Sequence, residues 1–210
     1  LLGGIDWNLI KKNPKIFCGF SDITALSNAI FAKTGVVAFS GPHYSSFGMK
    51  RGFEYTLEQF KKAVMGAHRF QVLPSNNWSD DAWFMNQDKR EFVPNNGLKT
   101  LKPGKARGHI AGGNIGTMVL LNGSSYMPKL EGSILFVEEA DDGHGRSLPY
   151  VLRNFGALTR ARGFEKIKGL VIGRFQKTSK ISQADIEEMV MSRPELAQRD
   201  IPIVCNADFG

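Results

Sequence analysis

The strongest constraint on this chain is a strand–helix–strand pattern packed into about 25 residues near its start. Lys15-Ile-Phe-Cys-Gly-Phe20 reads as a short buried strand. From Asp22 to Lys33 the apolar residues Ile23, Leu26, Ile30 and Phe31 recur at the spacing of one helical face. Gly35 supplies a helix stop, Val36-Val-Ala-Phe39 reads as the next strand, and Gly41-Pro42 turns the chain away. Two strands joined by a helix over so short a span point to a parallel βαβ unit.

The same punctuation continues downstream. Leu57 to Gly66, with Phe60, Val64 and Met65, has the pattern of a short amphipathic helix. Residues 74–107 then turn rich in Pro, Asn, Asp, Gly and Lys, and read as a linker, loops or a partly ordered insertion. That stretch divides an N-terminal segment, 1–73, from a C-terminal one, 108–210. In the latter, Gly112-Gly113-Asn114 precedes a helix over Ile115–Leu121, followed by a strand at Ser133–Val137. A helix at Leu148–Thr159, a strand at Gly169–Gly173, a helix at Ser182–Ser192 and a strand at Ile201–Val204 complete the pattern. The fold class is α/β.

Composition narrows the function classes. With 42% apolar and 22% charged residues, a chain of 210 residues can bury a substantial core. No stretch approaches the roughly 20 apolar residues that cross a bilayer. Cys18 and Cys205 are too few for a disulfide framework, which fits a reducing cytoplasm. The net charge of +7 suits anionic ligands. Its basic residues are scattered, with a modest cluster from Lys89 to Arg107 and no interleaved aromatics, so no nucleic-acid footprint emerges.

Ser21 follows a strand and precedes a helix, where a nucleophile elbow holds its hydroxyl. Gly19 matches the first Gly of G-x-S-x-G, while Ile23 replaces the second. A Ser at that place is also a favoured helix cap, and spacing alone favours the cap. Glu138 ends an apolar strand beside Glu139, Asp141 and Asp142. Such a cluster suits a carboxylate that orients a histidine, a metal site that includes His144, or a solvated acidic loop; no metal-ligand spacing is present. His43, His68, His109 and His144 are isolated from one another. Trp78 and Trp83 stand in the polar stretch, where an aromatic either stacks on a flat ligand or pins the loop.

Taken together, these segments resemble the LD-carboxypeptidase family of serine peptidases. The residues that carry the likeness are Asn13-Pro-Lys-Ile-Phe-Cys-Gly-Phe-Ser-Asp-Ile-Thr-Ala-Leu26, Gly35 and Gly41-Pro42. Gly112-Gly-Asn114, Tyr126-Met-Pro128, Gly132-Ser-Ile-Leu-Phe-Val-Glu-Glu139 and Asn206-Ala-Asp-Phe-Gly210 extend it in the family's order. Ser79-Asp-Asp-Ala-Trp83 and Ala32-Lys-Thr-Gly35 are most similar to the microcin C immunity branch.

The resemblance implies a nucleophile domain with a doubly wound parallel sheet, and a C-terminal α/β domain that carries the acid and the histidine of a Ser-Glu-His triad. Ser21 would be the nucleophile, the Asp22 amide an oxyanion donor, and Glu138 the residue that orients the histidine. Trp83 would stack on a nucleobase, and Gly113 and Asn114 would line the cleft. The implied substrate is a small peptide or peptidyl-nucleotide cut at a carboxy-terminal amide. The alternatives are a murein tetrapeptide, as in wall-recycling members, or a non-catalytic module that binds nucleotide or peptide. No metal or other cofactor, no membrane and no nucleic acid is implied; a cytoplasmic homodimer is. The family's histidine follows Asp-Phe-Gly, so it is expected just past Gly210, and its second oxyanion amide is expected upstream of Leu1. The 210 residues alone are therefore expected to hold an incomplete triad.

Overall fold

A computed structural model describes residues 1–66, 69–140 and 148–209. Helix α1 (Trp7–Lys12) begins at Asp6, whose carboxylate accepts the Leu9 amide at 2.9 Å. The βαβ pattern is present: β1 (Cys18–Gly19), α2 (Ile23–Thr34) and β2 (Phe39–Ser40), with Cys18 opposite Phe39 in a parallel ladder. Both strands are shorter than their apolar runs. Among the described residues they pair only with each other, and Ile16 and Val37 stay 61% and 60% exposed. Helix α3 (Glu54–Met65) starts three residues earlier than its periodicity predicts.

The polar stretch is more ordered than its composition suggests. β3 (Asn77–Trp78) and β4 (Val93–Pro94) form an antiparallel pair, and β5 (Lys99–Lys102) joins the main sheet. None of these has an apolar face long enough to read from sequence. β5 is an edge strand whose first two residues are exposed, which is why polar side chains suffice there.

The main sheet has the order β5-β9-β8-β7-β6. β6 (His109–Asn114), β7 (Ser133–Glu138), β8 (Gly169–Gly173) and β9 (Ile203–Ala207) run parallel, and β5 is antiparallel to β9. Helices α4 (Ile115–Val119), α5 (Leu148–Leu158), α6 (Gln183–Met191) and α7 (Pro194–Ala197) connect successive parallel strands. The result is an α/β fold. Along β7, Ser133, Leu135 and Val137 are buried while Ile134 and Phe136 are half-buried, the alternation a pleated strand imposes. Leu135 and Val137 join Ile172, Ile203 and Cys205 in one core with Met118, Val151, Phe155, Leu158 and Met189. Parallel pairing has a consequence for chemistry: Asn114, Glu138, Gly173 and Ala207 all lie at the carboxyl edge of the sheet.

Candidate active site

Ser21 lies between the end of β1 and the start of α2 with φ +57. A side-chain-bearing residue in that left-handed region costs about 1–3 kcal/mol, so the neighbouring contacts must hold it. The Thr24 N–H donates to the Ser21 carbonyl at 2.9 Å, and the Ile23 N–H to the Phe20 carbonyl at 3.2 Å. Helix and strand meet closely here, since a Cβ on Gly19 would stand 2.9 Å from Cγ2 of Ile23. The N-cap position of α2 belongs to Asp22, and no side chain caps the helix. Ser21 is thus not the cap. Among the described residues its hydroxyl and the Asp22 N–H have no hydrogen-bond partner.

Three hydrogen bonds dock this elbow on the main sheet. The Asn114 N–H donates to Oγ1 of Thr24 at 2.9 Å, and Nδ2 of Asn28 donates to the Gly112 carbonyl at 2.8 Å. Oγ1 of Thr117 donates to Oδ1 of Asp22 at 3.3 Å. The approach depends on Gly113, which has φ +130 and where a Cβ would stand 2.5 Å from Oγ1 of Thr24. Asn114, whose N–H meets the Ser21-bearing segment at Thr24, faces Glu138 across the β6–β7 ladder.

Glu138 is 8% exposed. Gly173 separates it from the segment after β9: a Cβ there would lie 2.7 Å from Cβ of Glu138 and 3.3 Å from Cε1 of Phe209. Phe209 also packs edge-on against Phe136, 5.3 Å between ring centres. The chain leaving β9 therefore passes beside Glu138.

Glu139 does different work. Its buried carboxylate accepts Nδ2 of Asn114 at 2.8 Å and the Gly116 N–H at 2.9 Å. Asn114, 1% exposed, also caps α4 through Oδ1, which accepts the Thr117 N–H at 3.0 Å. Its side chain is thus engaged at both ends, and its backbone N–H is the group that reaches Thr24.

Trp83 is half-buried on the loop between β3 and β4, its ring edge-on to Phe84 at 6.0 Å. Trp78 carries the Arg174 guanidinium 4.7 Å from its ring centre and the Lys177 ammonium at 5.2 Å. Asp141, Asp142 and His144 of the metal-site reading, together with His68 and Gly210, lie outside the described residues. Among the described residues no three His, Cys, Asp or Glu side chains could hold a metal ion, and no helix is long and apolar enough to cross a membrane.

One polar cluster carries no motif in the sequence. Oδ2 of Asp208 accepts the Ser75 N–H at 2.9 Å, the Ser75 hydroxyl at 3.2 Å and Nδ2 of Asn95 at 2.8 Å. Oδ1 of Asp208 pairs with Nη2 of Arg174 at 2.9 Å, and Arg174 also donates to Oδ1 of Asn206 and of Asn95. The cluster ties the β3–β4 region to the ends of β8 and β9. A cavity of about 480 Å³ opens nearby, lined by Trp78, Lys99, Arg174, Lys177 and Ile186, and neither Ser21 nor Glu138 reaches it.

Residues 1–41 match the LD-carboxypeptidase N-terminal domain and residues 107–210 the LD-carboxypeptidase C-terminal domain, together more than two thirds of the chain. The chain belongs to the LD-carboxypeptidase family. YocD of Bacillus subtilis is 42% identical over 210 residues, covering 100% of this chain and 63% of YocD. The microcin C7 self-immunity protein MccF of Escherichia coli is 34% identical over 187 residues, covering 84% of this chain and 52% of MccF. An MccF-like protein from Bacillus anthracis has the same fold at TM-score 0.95 and 48% identity, with 100% of this chain and 63% of that one aligned. MccF bound to aspartyl sulfamoyl adenosine superposes at TM-score 0.83 with 31% identity, over 99% of this chain and 63% of the other. The chain thus spans less than two thirds of the length of these relatives.

Proposed function

We propose that this protein is a serine peptidase that hydrolyses a carboxy-terminal amide of a small peptide or peptidyl-nucleotide. The observation that carries this reading is Ser21, held at φ +57 on a strand-to-helix turn with a hydroxyl that has no hydrogen-bond partner among the described residues.

In this mechanism the Ser21 hydroxyl attacks the scissile carbonyl while a histidine takes its proton. The Asp22 N–H, at the start of α2, donates to the oxyanion of the tetrahedral intermediate. Collapse expels the leaving amine, which takes a proton from the histidine, and water then hydrolyses the acyl-enzyme by the reverse proton path. Glu138 orients the histidine and stabilises its charged form. In the family that histidine follows Asp-Phe-Gly, and the passage of Phe209 beside Glu138 supports this pairing. Gly113 and Asn114 form the floor of the cleft, and Trp83 stacks on a base.

The nucleotide-linked substrate is favoured because the relative MccF is known bound to aspartyl sulfamoyl adenosine, an aspartyl group joined to a nucleoside. The test is mass spectrometry of the full-length protein incubated separately with an aspartyl-nucleotide conjugate and a murein tetrapeptide. Release of the nucleotide is the expected result. Release of D-alanine alone assigns the murein reaction instead, and cleavage of neither substrate refutes both assignments.

A further inference from the structure

The elbow has a neighbour that the triad does not use. His43 follows the Gly41-Pro42 turn at the end of β2, whose Ser40 pairs with Gly19 of β1. Its imidazole lies flat on the ring of Phe20, 3.9 Å between centres and 6° between planes. Phe20 is bonded directly to Ser21, so the stack sets an imidazole on the turn that carries the candidate nucleophile. Both rings are half-buried.

The main chain of His43 is engaged, its carbonyl accepting the Ser46 N–H at 3.0 Å. Among the described residues its ring nitrogens have no hydrogen-bond partner. His109 offers a contrast: its Nε2 lies 2.9 Å from the Lys129 carbonyl, well away from the elbow. An imidazole clamped by its face and left open at its edge is arranged to meet a ligand, since a ring kept only for packing needs no nitrogen.

Resting on the serine-peptidase reading, we propose that His43 forms an anion subsite next to Ser21. Its ring N–H hydrogen-bonds a carboxylate or phosphoryl oxygen of the substrate close to the scissile amide. Both substrate classes carry such a group: a peptide ends in a carboxylate, and a nucleotide conjugate carries a phosphoryl or similar oxyanion. The contact is made in the ground state, so its loss raises KM more than it lowers kcat.

The test uses His43→Phe, which keeps a flat ring on Phe20 but removes both nitrogens, and His43→Gln, which restores a donor. Each is made in a Ser21→Ala background for binding and in the active protein for kinetics. The binding probes are AMP against adenosine, and a short peptide acid against the same peptide amide. An N–H bond to an anion is worth at least about ten-fold in Kd. His43→Phe is expected to weaken one anionic probe by that factor, to leave its neutral counterpart unchanged, and to be partly rescued by Gln. The probe affected tells phosphoryl from carboxylate. Equal Kd values for wild type and His43→Phe, or no binding of either anionic probe to wild type, overturns the proposal. So does a collapse of kcat at unchanged KM, which makes His43 a proton-transfer group instead. Loss of the Ser21 reaction with the Kd difference intact refutes the peptidase reading and leaves the subsite standing.

Discussion

Replacing Asp208 with Ala tests whether the cluster beyond β9 holds the site edge together. The change deletes an acceptor for Ser75, Asn95 and Arg174 at once. The side chains of Arg174 and Asp208 are 15% and 12% exposed, so the guanidinium is left largely desolvated without its counter-charge. Removing one partner of a buried pair costs about 3–5 kcal/mol, and this residual exposure places the loss near the lower figure. With a urea dependence of about 2–3 kcal/mol per molar, the unfolding midpoint falls by about 1–1.5 M. Tryptophan fluorescence reads the transition directly because Trp78 lies against Arg174. The companion variant, Asp208→Leu with Arg174→Met, removes both charges and is expected to cost clearly less than the two single changes added together. A loss below about 1 kcal/mol for Asp208→Ala, or strict additivity in the double variant, refutes the reasoning.

Gly113→Ala drives a methyl into Thr24 at an already left-handed φ; a loss of about 3 kcal/mol or more is expected, read by thermal unfolding, with weaker docking of α2. At α6, hydrogen bonds from the Ser182 hydroxyl and then its backbone N–H hold the Asp185 carboxyl below the usual range. A folded value below the unfolded one means that this cap stabilises above about pH 4 and fades as pH falls through the folded value. Wild type and Asp185→Asn should therefore differ in urea midpoint at neutral pH and converge in acid; parallel pH curves contradict this. Burial pushes both the Cys18 and Cys205 thiols up, so an aromatic disulfide reagent at neutral pH should modify them slowly in the native protein, Cys205 last, and both rapidly in urea.

The helices and the strands of the main sheet were legible where apolar residues kept one period for several turns or residues, as in α2, α5, β7 and β8. The start of α6 at Ser182 was equally plain, because a hydroxyl before an apolar helical run has a defined local role. β3 and β4 were not, since a two-residue ladder has no period to detect. At the site, the residue types of Ser21 and Glu138 and their places at element ends were visible. Whether Ser21 caps α2 was not, because that turns on which residue begins the helix. The division of labour between adjacent carboxylates was also hidden. Sequence cannot say that Glu139 turns inward to Asn114 and Gly116. The stack of His43 on Phe20 was invisible for a similar reason: the two residues are brought together by β1–β2 pairing, across more than twenty positions.

The proposed peptidase activity requires that Ser21 be an activated nucleophile. The most direct measurement is treatment of the full-length protein with a fluorophosphonate, followed by intact-mass analysis and peptide mapping. The account predicts one adduct per chain, on the peptide containing Ser21, and none in Ser21→Ala. An unlabelled Ser21 in a protein that still cleaves its amide substrate would contradict it.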